Sequence, residues 1–468
     1  MAEAPTSEDK LAAAALEPRD DEGELNRAFV EAVSAAIAAG DVDTLKTLAG
    51  DLHEADLGDL IEALDADERA DLVRLLGADF DFAALVEVDE TVRVQLLEEI
   101  PNEAIAEGVR DLDSDDAVYI LEDLDAEDQE DILEQIPLSE RAQLVRSLDY
   151  PEDSAGRLMQ TDFIAVPPFW TVGQTIDYCR DAEDLPDDFT EIYVVDPAFK
   201  LVGAVALDKL LRAKRPMKIT EIVDEDHHVI AVDEDREEVA RLFERYNLFA
   251  APVVDDAERL VGVIMVDDVV DVVKEEAEED LRALAGVGDE EISDSVFMTM
   301  RGRFTWLFVN LFTAFLAAAV ISSFADTIEQ MVALAALAPI VASMGGNAAT
   351  QTMTVSVRAL ATQELGSLNL VRFVSREVLV AFLNGISFAF LVGATAGLWF
   401  QNPGLGLVIG GAMVANLLAG GLAGVIVPVT VDKLNGDPAV VSGVFVTTVT
   451  DCVGFFAFLG LATWWFRL

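Results

Sequence analysis

Five apolar runs crowd the last third of the chain, and each is long enough to cross a bilayer. They cover roughly 303–323, 331–357, 377–400, 405–431 and 439–466, against the ~20 apolar residues that a membrane helix needs. A single soluble globule is therefore excluded. Charge segregates with this division. Of 31 basic and 87 acidic residues, seven of each fall in 301–468, which leaves 24 against 80 in the first 300 residues and places the whole net charge of −56 there. Phosphate recognition relies on basic patches, so nucleic acid is excluded as a partner of so acidic a region. The two cysteines, Cys179 and Cys452, make neither a disulfide framework nor a metal-binding pair. Residues 1–24 lack the basic start and apolar core of a secretory signal and read as a disordered acidic N-terminus.

The basic residues orient the runs. Arg301 and Arg303 precede the first, Arg358, Arg372 and Arg376 lie between the second and third, and Lys433 lies in the fourth link. The alternate links, around Asp326/Glu329 and Gln401-Asn402-Pro403, have no Lys or Arg. The positive-inside rule then makes the first 300 residues cytoplasmic. An odd number of crossings leaves the C-terminus outside, in a multi-pass protein of the plasma (inner) membrane.

Polar residues within the runs are few. The second run holds Gly345-Gly346-Asn347-Ala348-Ala349-Thr350-Gln351, with Pro339 ahead of it. Its small residues read either as close helix packing or as a polar path, since Asn347 and Gln351 share one helix face. Asp451 reads as the only acidic residue well inside a run. A charge at the bilayer centre costs roughly 2.5–3.5 kcal/mol on the insertion scale. Two readings stay open: a protonated Asp451 bonded to a neighbour, or a carboxylate facing water and a cation.

In the soluble part, residues 25–155 carry helical periodicity. Asp65-x-x-Glu68 and Asp125-x-x-Asp128 read as N-caps of amphipathic helices. LIEALDADERADLV resembles ILEDLDAEDQEDIL, which predicts a stack of repeated helix pairs. After Pro151 two units of one plan follow: strand, helix, strand, turn, strand, helix. Val194-Val195-Asp196 and Leu201-Val202-Gly203 recur 59 residues later, as Val253-Val254-Asp255 and Leu260-Val261-Gly262. Ile164-Ala165-Val166 matches Ile230-Ala231-Val232 at an offset of 66, so the first unit is expected to hold seven extra residues.

An acidic helix from Asp267 to about Gly286 then leads towards the membrane, with Asp268, Asp271, Glu275 and Glu279 on one face and Glu276 and Asp280 on its flank. Like charges at this spacing repel, and a divalent cation held by oxygen ligands would offset them. The competing reading is a solvated surface, in a soluble part made acidic throughout as in proteins adapted to concentrated salt.

Taken together, an acidic helical domain, a tandem 60-residue pair, a linking helix and five spans resemble the MgtE family of magnesium channels. The resemblance runs from about residue 25 onwards and rests on GGNAATQ (345–351), DPAVVSGVFVTTVTD (437–451), SAGRLM (154–159) and ERYNLFAAPVVDDAERLVGVIMVDDVVDVVKEEAEED (244–280). It implies a multidomain membrane protein. In it an all-α helical-repeat N-domain (25–157) precedes an α/β tandem CBS pair (158–275), a connecting plug helix (276–302) and an all-α transmembrane domain of five helices (303–468). It further implies a homodimer in the lipid bilayer with a pore on the two-fold axis, lined by the second and fifth runs, and Mg²⁺ as both cargo and regulatory ligand.

By this resemblance Asp451 is the pore carboxylate and Thr447 and Gly443 line the same path. Asp235, Glu237, Asp268, Asp271, Glu276, Glu279 and Asp280 are regulatory magnesium ligands that close the pore when cytosolic Mg²⁺ is high. Asn247 departs from the family, which often has aspartate there. CBS pairs often bind adenine nucleotides through a glycine, a hydroxyl and an acid. Here Gly203 leads to Ala206 and Lys209, and Gly262 to Met265 and Asp268, so ATP stands only as a candidate ligand and no nucleotide residues are assigned. Two other readings remain: a membrane-anchored nucleotide or ionic-strength sensor, and a broader carrier of divalent cations such as Co²⁺ or Mn²⁺. An enzyme is not expected, since His53, His227 and His228 belong to no nucleophile–base arrangement.

Overall fold

The computed structural model describes all residues except 1–16, 21, 183–184, 187–188, 225–226, 288–295, 364, 366–368 and 435, and the side chains of 441 and 442. The chain divides into two compact units, Met1–Glu275 and Glu276–Leu468.

The first unit opens with short helices, among them Glu54–Ala63, Ala66–Leu76, Ser114–Glu122 and Ala126–Gln135. Their starts obey the capping signals. Asp65 forms a capping box with Glu68, and the Asp125 carboxylate accepts from the N–H groups of Glu127 and Asp128 at 3.0 Å each. The apolar positions of these repeated pairs converge on one core, where Leu60, Ile61, Leu72, Ile120 and Ile132 are fully buried.

Two three-stranded sheets follow: β1 (Ala165–Val166), β2 (Glu191–Val195) and β3 (Leu201–Ala206), then β4 (Ile230–Ala231), β5 (Ala250–Val254) and β6 (Leu260–Met265). In each the first pair is parallel and the second antiparallel. The repeat extends to turn chemistry. The Asp196 carboxylate accepts from Ala198 N and Lys200 N, and that of Asp255 accepts from Ala257 N and Arg259 N. Phe199 and Glu258, 59 residues apart, both take positive φ (64° and 61°). One detail differs from the sequence alignment. Ala165 pairs with Tyr193 but Ile230 with Val253, separations of 28 and 23 residues, so the first unit holds five extra residues by register rather than seven. A two-residue slip keeps every side chain on its face, so apolar alternation could not detect it.

The acidic helix runs Val266–Ala285. Val269 and Val272 belong to the apolar core around β4–β6 in the first unit, and Ala283 to a core in the second.

Five helices long and apolar enough to cross a membrane make up most of the second unit. These are span one (Val296–Ser322), two (Ala333–Ala361), three (Leu370–Trp399), four (Pro403–Lys433) and five (Pro438–Phe466). Most outrun the apolar runs, because helical hydrogen bonding continues into flanking polar residues. Small residues let the helices approach closely. A Cβ added at Gly406 of span four would lie 2.4 Å from the Gly393 carbonyl oxygen of span three, and one at Gly424 would lie 2.8 Å from that of Ala349 in span two. Span one is the exception, since Ala317 is its sole buried residue among those described.

Candidate ion path and regulatory carboxylates

Along span five, Gly443, Thr447 and Asp451 recur every four residues and share one face. Thr447 is exposed, Asp451 half-buried, and the Thr447 hydroxyl donates back to the Gly443 carbonyl. On span two, Asn347 and Gln351 are both exposed, one turn apart. The two stripes adjoin. A Cβ on Gly346 would make an ordinary contact, 3.6 Å, with Thr447 Cγ2. The four side chains predicted to line a path thus lie on neighbouring helices and are not packed away in the five-helix bundle of a single chain.

The first glycine of the GGN motif serves packing. Asn416 of span four is fully buried and its Nδ2 donates to the Val341 carbonyl at 2.8 Å. It sits where Gly345 of span two and Gly454 of span five leave room, since an added Cβ would come within 2.0 Å and 2.6 Å of its Nδ2. The two readings of the small residues therefore divide by helix face: Gly345 packs inward while Asn347 points away.

Asp451 is not the sole carboxylate within the spans. Span three begins at Leu370, nearly two turns before its apolar run, so Glu377 is inside the helix and only 7% exposed. Thr352 of span two donates its hydroxyl to Glu377 Oε2 at 3.4 Å. Its place at the edge of the apolar run hid it from a hydropathy reading.

The end of the acidic helix lies at the near end of this polar stripe. Ala283, 9% exposed, packs with Ala349 and Met353 of span two and Ala439 and Val446 of span five, and the Leu284 carbonyl lies 3.8 Å from the Cβ position of Gly443.

In the first unit a second group of carboxylates gathers. Asp115 is 8% exposed and its Oδ1 has no hydrogen-bond partner. Burial, followed by the charges of Asp268 and Asp113, pushes its carboxyl well above the usual range. Asp116 is pushed up to about 8, first by burial and then by Asp115, Asp113, Glu54 and Glu87. Asp268, which accepts from Met265 N at 3.3 Å, is raised to about 7 by burial and then by Asp267. Glu87 is raised by burial and then by Asp271. Asp268 and Asp271 thus meet helical-domain carboxylates that the sequence reading did not single out. Asp113-Ser114-Asp115-Asp116 stands at a helix start, where acidic residues are ordinary capping chemistry, and this disguised it.

The remaining assigned ligands are placed differently. Asp235 caps the helix Arg236–Tyr246 by accepting from Glu237 N at 2.9 Å, and Glu237 pairs with Arg241. Glu276 and Asp280 are half-buried and Glu279 is exposed. Asn247 ends the helix in the left-handed conformation (φ 53°, ψ 50°), which asparagine tolerates better than most residues. Among the described residues, no three acidic, His or Cys side chains form a ready-made metal cage. Mg²⁺ does not require one, since it usually keeps several waters and takes one or two carboxylates.

Comparison with known proteins is consistent at each level. Residues 338–461 match the MgtE profile, described as a divalent cation transporter, 52–153 the MgtE intracellular N domain, and 219–275 the CBS domain. The magnesium transporter MgtE of Bacillus subtilis (strain 168) is 30% identical over 427 residues, covering 91% of this chain and 94% of its own. The chain belongs to the MgtE family. The MgtE of Enterococcus faecalis is 32% identical over 320 residues, covering 68% of this chain and 71% of its own. A crystal structure of the cytosolic domain of the Mg²⁺ channel MgtE in complex with ATP is 28% identical, with a TM-score of 0.48 over 52% of this chain and 99% of that one. As an MgtE-family member the chain is a multidomain, multi-pass membrane transporter with an all-α N-domain and CBS domains, and not an enzyme.

Proposed function

We propose that the protein carries Mg²⁺ into the cytoplasm as a homodimer, through a path on the dimer axis lined by Asp451, Thr447, Asn347 and Gln351. The observation that carries this reading is the polar stripe on spans two and five, in which Asn347, Gln351 and Thr447 are exposed and Asp451 is half-buried within the chain's own bundle. A second copy would set one Asp451 against another. Two carboxylates with amide and hydroxyl neighbours suit an ion that sheds water reluctantly. The nearly unburied span one is consistent with a helix that needs a partner or lipid to cover it. The soluble domains and N-terminus face the cytoplasm and the C-terminus lies outside, as the basic links require.

Cytosolic Mg²⁺ closes this path by linkage. The carboxylates of Asp115, Asp116 and Asp268, and those of Glu87 and Asp271, repel unless protonated or bridged, and an ion that bridges them favours the state in which they are close. Glu276, Glu279 and Asp280 extend the acidic face towards Ala283 and Leu284, the end of the helix that we assign as the plug. Asp235 and Glu237 complete the regulatory set.

The test is flux of Mg²⁺ into liposomes holding the full chain. Asp451→Ala should abolish flux while the dimer persists in cross-linking. Unchanged flux would leave the spans as a mere anchor, and equal flux of Co²⁺ or Mn²⁺ would broaden the substrate.

A further inference from the structure

Between spans two and three, a cavity of about 640 Å³ opens among Arg358, Arg372 and Arg376, with Asn369, Phe373 and Val355 also lining it. Topology asks for basic residues on this side, but it does not ask that three converge on one cavity. Two of them are electrostatically misplaced. Arg372 and Arg376 stand in the first two turns of span three, the positive end of a 30-residue helix dipole, where cations are disfavoured. No acidic residue occupies that first turn. Glu377 Oε1 lies 4.0 Å from Arg376 Nε, but Glu377 itself faces Thr352. In a chain of net charge −56, this is a concentrated positive site that breaks a local rule, and such breaks mark function.

We propose that this cavity binds the phosphate of an anionic lipid headgroup. Arginine forks are matched to phosphate oxygens. Phe373 and Val355, the latter 45% exposed, offer apolar surface for the glycerol end. The cavity lies where span two ends and span three begins, and basic pockets between membrane helices are a recurrent lipid site. This site is separate from the proposed ion path and does not depend on it.

Native mass spectrometry of the full chain in delipidated detergent would test the assignment, with phosphatidylglycerol, phosphatidylcholine and inorganic pyrophosphate as probes. Phosphatidylglycerol should be retained about tenfold more than phosphatidylcholine, a difference that charge-assisted bonds readily supply. R358Q and the double variant R372Q/R376Q should erase the preference, whereas K433Q, which removes a basic residue outside the cavity, should preserve it. R372K keeps the charge but loses the fork and should bind between these limits, which separates binding from folding if the glutamine variants are unstable. Wild-type retention in R358Q and R372Q/R376Q, or equal loss in K433Q, would overturn the site. Displacement of phosphatidylglycerol by an equal concentration of pyrophosphate would overturn its lipid source.

Discussion

The Asn416 carboxamide of span four reaches span two, where its Nδ2 donates to the Val341 carbonyl at 2.8 Å in a space that Gly345 and Gly454 leave open. Three helices, two of them bearing the polar stripe, are registered on this one amide. Gly345→Ala should destabilise the protein by about 1–3 kcal/mol through overpacking, and Gly454→Ala similarly. Gly346→Ala, with nothing nearer than 3.6 Å, should be neutral or slightly stabilising, since alanine is the better helix former. Thermal unfolding in detergent checks the order, and equal losses at 345 and 346 would refute the packing account.

Asp116 makes stability depend on pH. Its folded carboxyl titrates at about 8 against an ordinary 3.8, so across that window the folded state holds a proton that the unfolded state has released. Stability is therefore fully present below the unfolded value and falls as pH rises towards about 8. The melting temperature in chelator should drop over this range, Asp116→Asn should flatten the slope, and added Mg²⁺ should restore stability at the alkaline end. Parallel melting curves for variant and wild type would disprove it.

Within the helical domain, Arg93 and Asp123 form an ion pair whose side chains are 3% and 13% exposed, and the guanidinium lies 4.2 Å over the Tyr119 ring. Arg93 also donates to the Val88 carbonyl at 3.2 Å. Asp123→Ala should cost about 3–5 kcal/mol by stranding a buried cation. Replacing both partners, as Arg93→Met with Asp123→Leu, should cost less than either single change. Chemical denaturation of the set gives the coupling energy, and simple additivity would contradict the prediction.

Closure is tested at Ala283. Asp in its place would set a charge against Ala349, Met353, Ala439 and Val446 and drive the helix end away. Liposomes holding Ala283→Asp should conduct Mg²⁺ at luminal concentrations that silence the wild type. If inhibition is unchanged, the plug assignment fails.

The sequence alone determined the five spans and the tandem plan of the sheets, because each rests on local periodicity or on a repeat within the chain. Asp451, Thr447, Asn347 and Gln351 stood out as candidates for a similar reason: polar residues are conspicuous against an apolar run. Only the tertiary structure decided that Gly345 serves Asn416, that Glu377 is buried against Thr352, that Asp115 and Asp116 gather with Asp268, and that Glu87 meets Asp271. Period assigns a side chain to a face but does not name what lies opposite, and in an acidic chain a carboxylate becomes distinctive only when another is folded against it out of water.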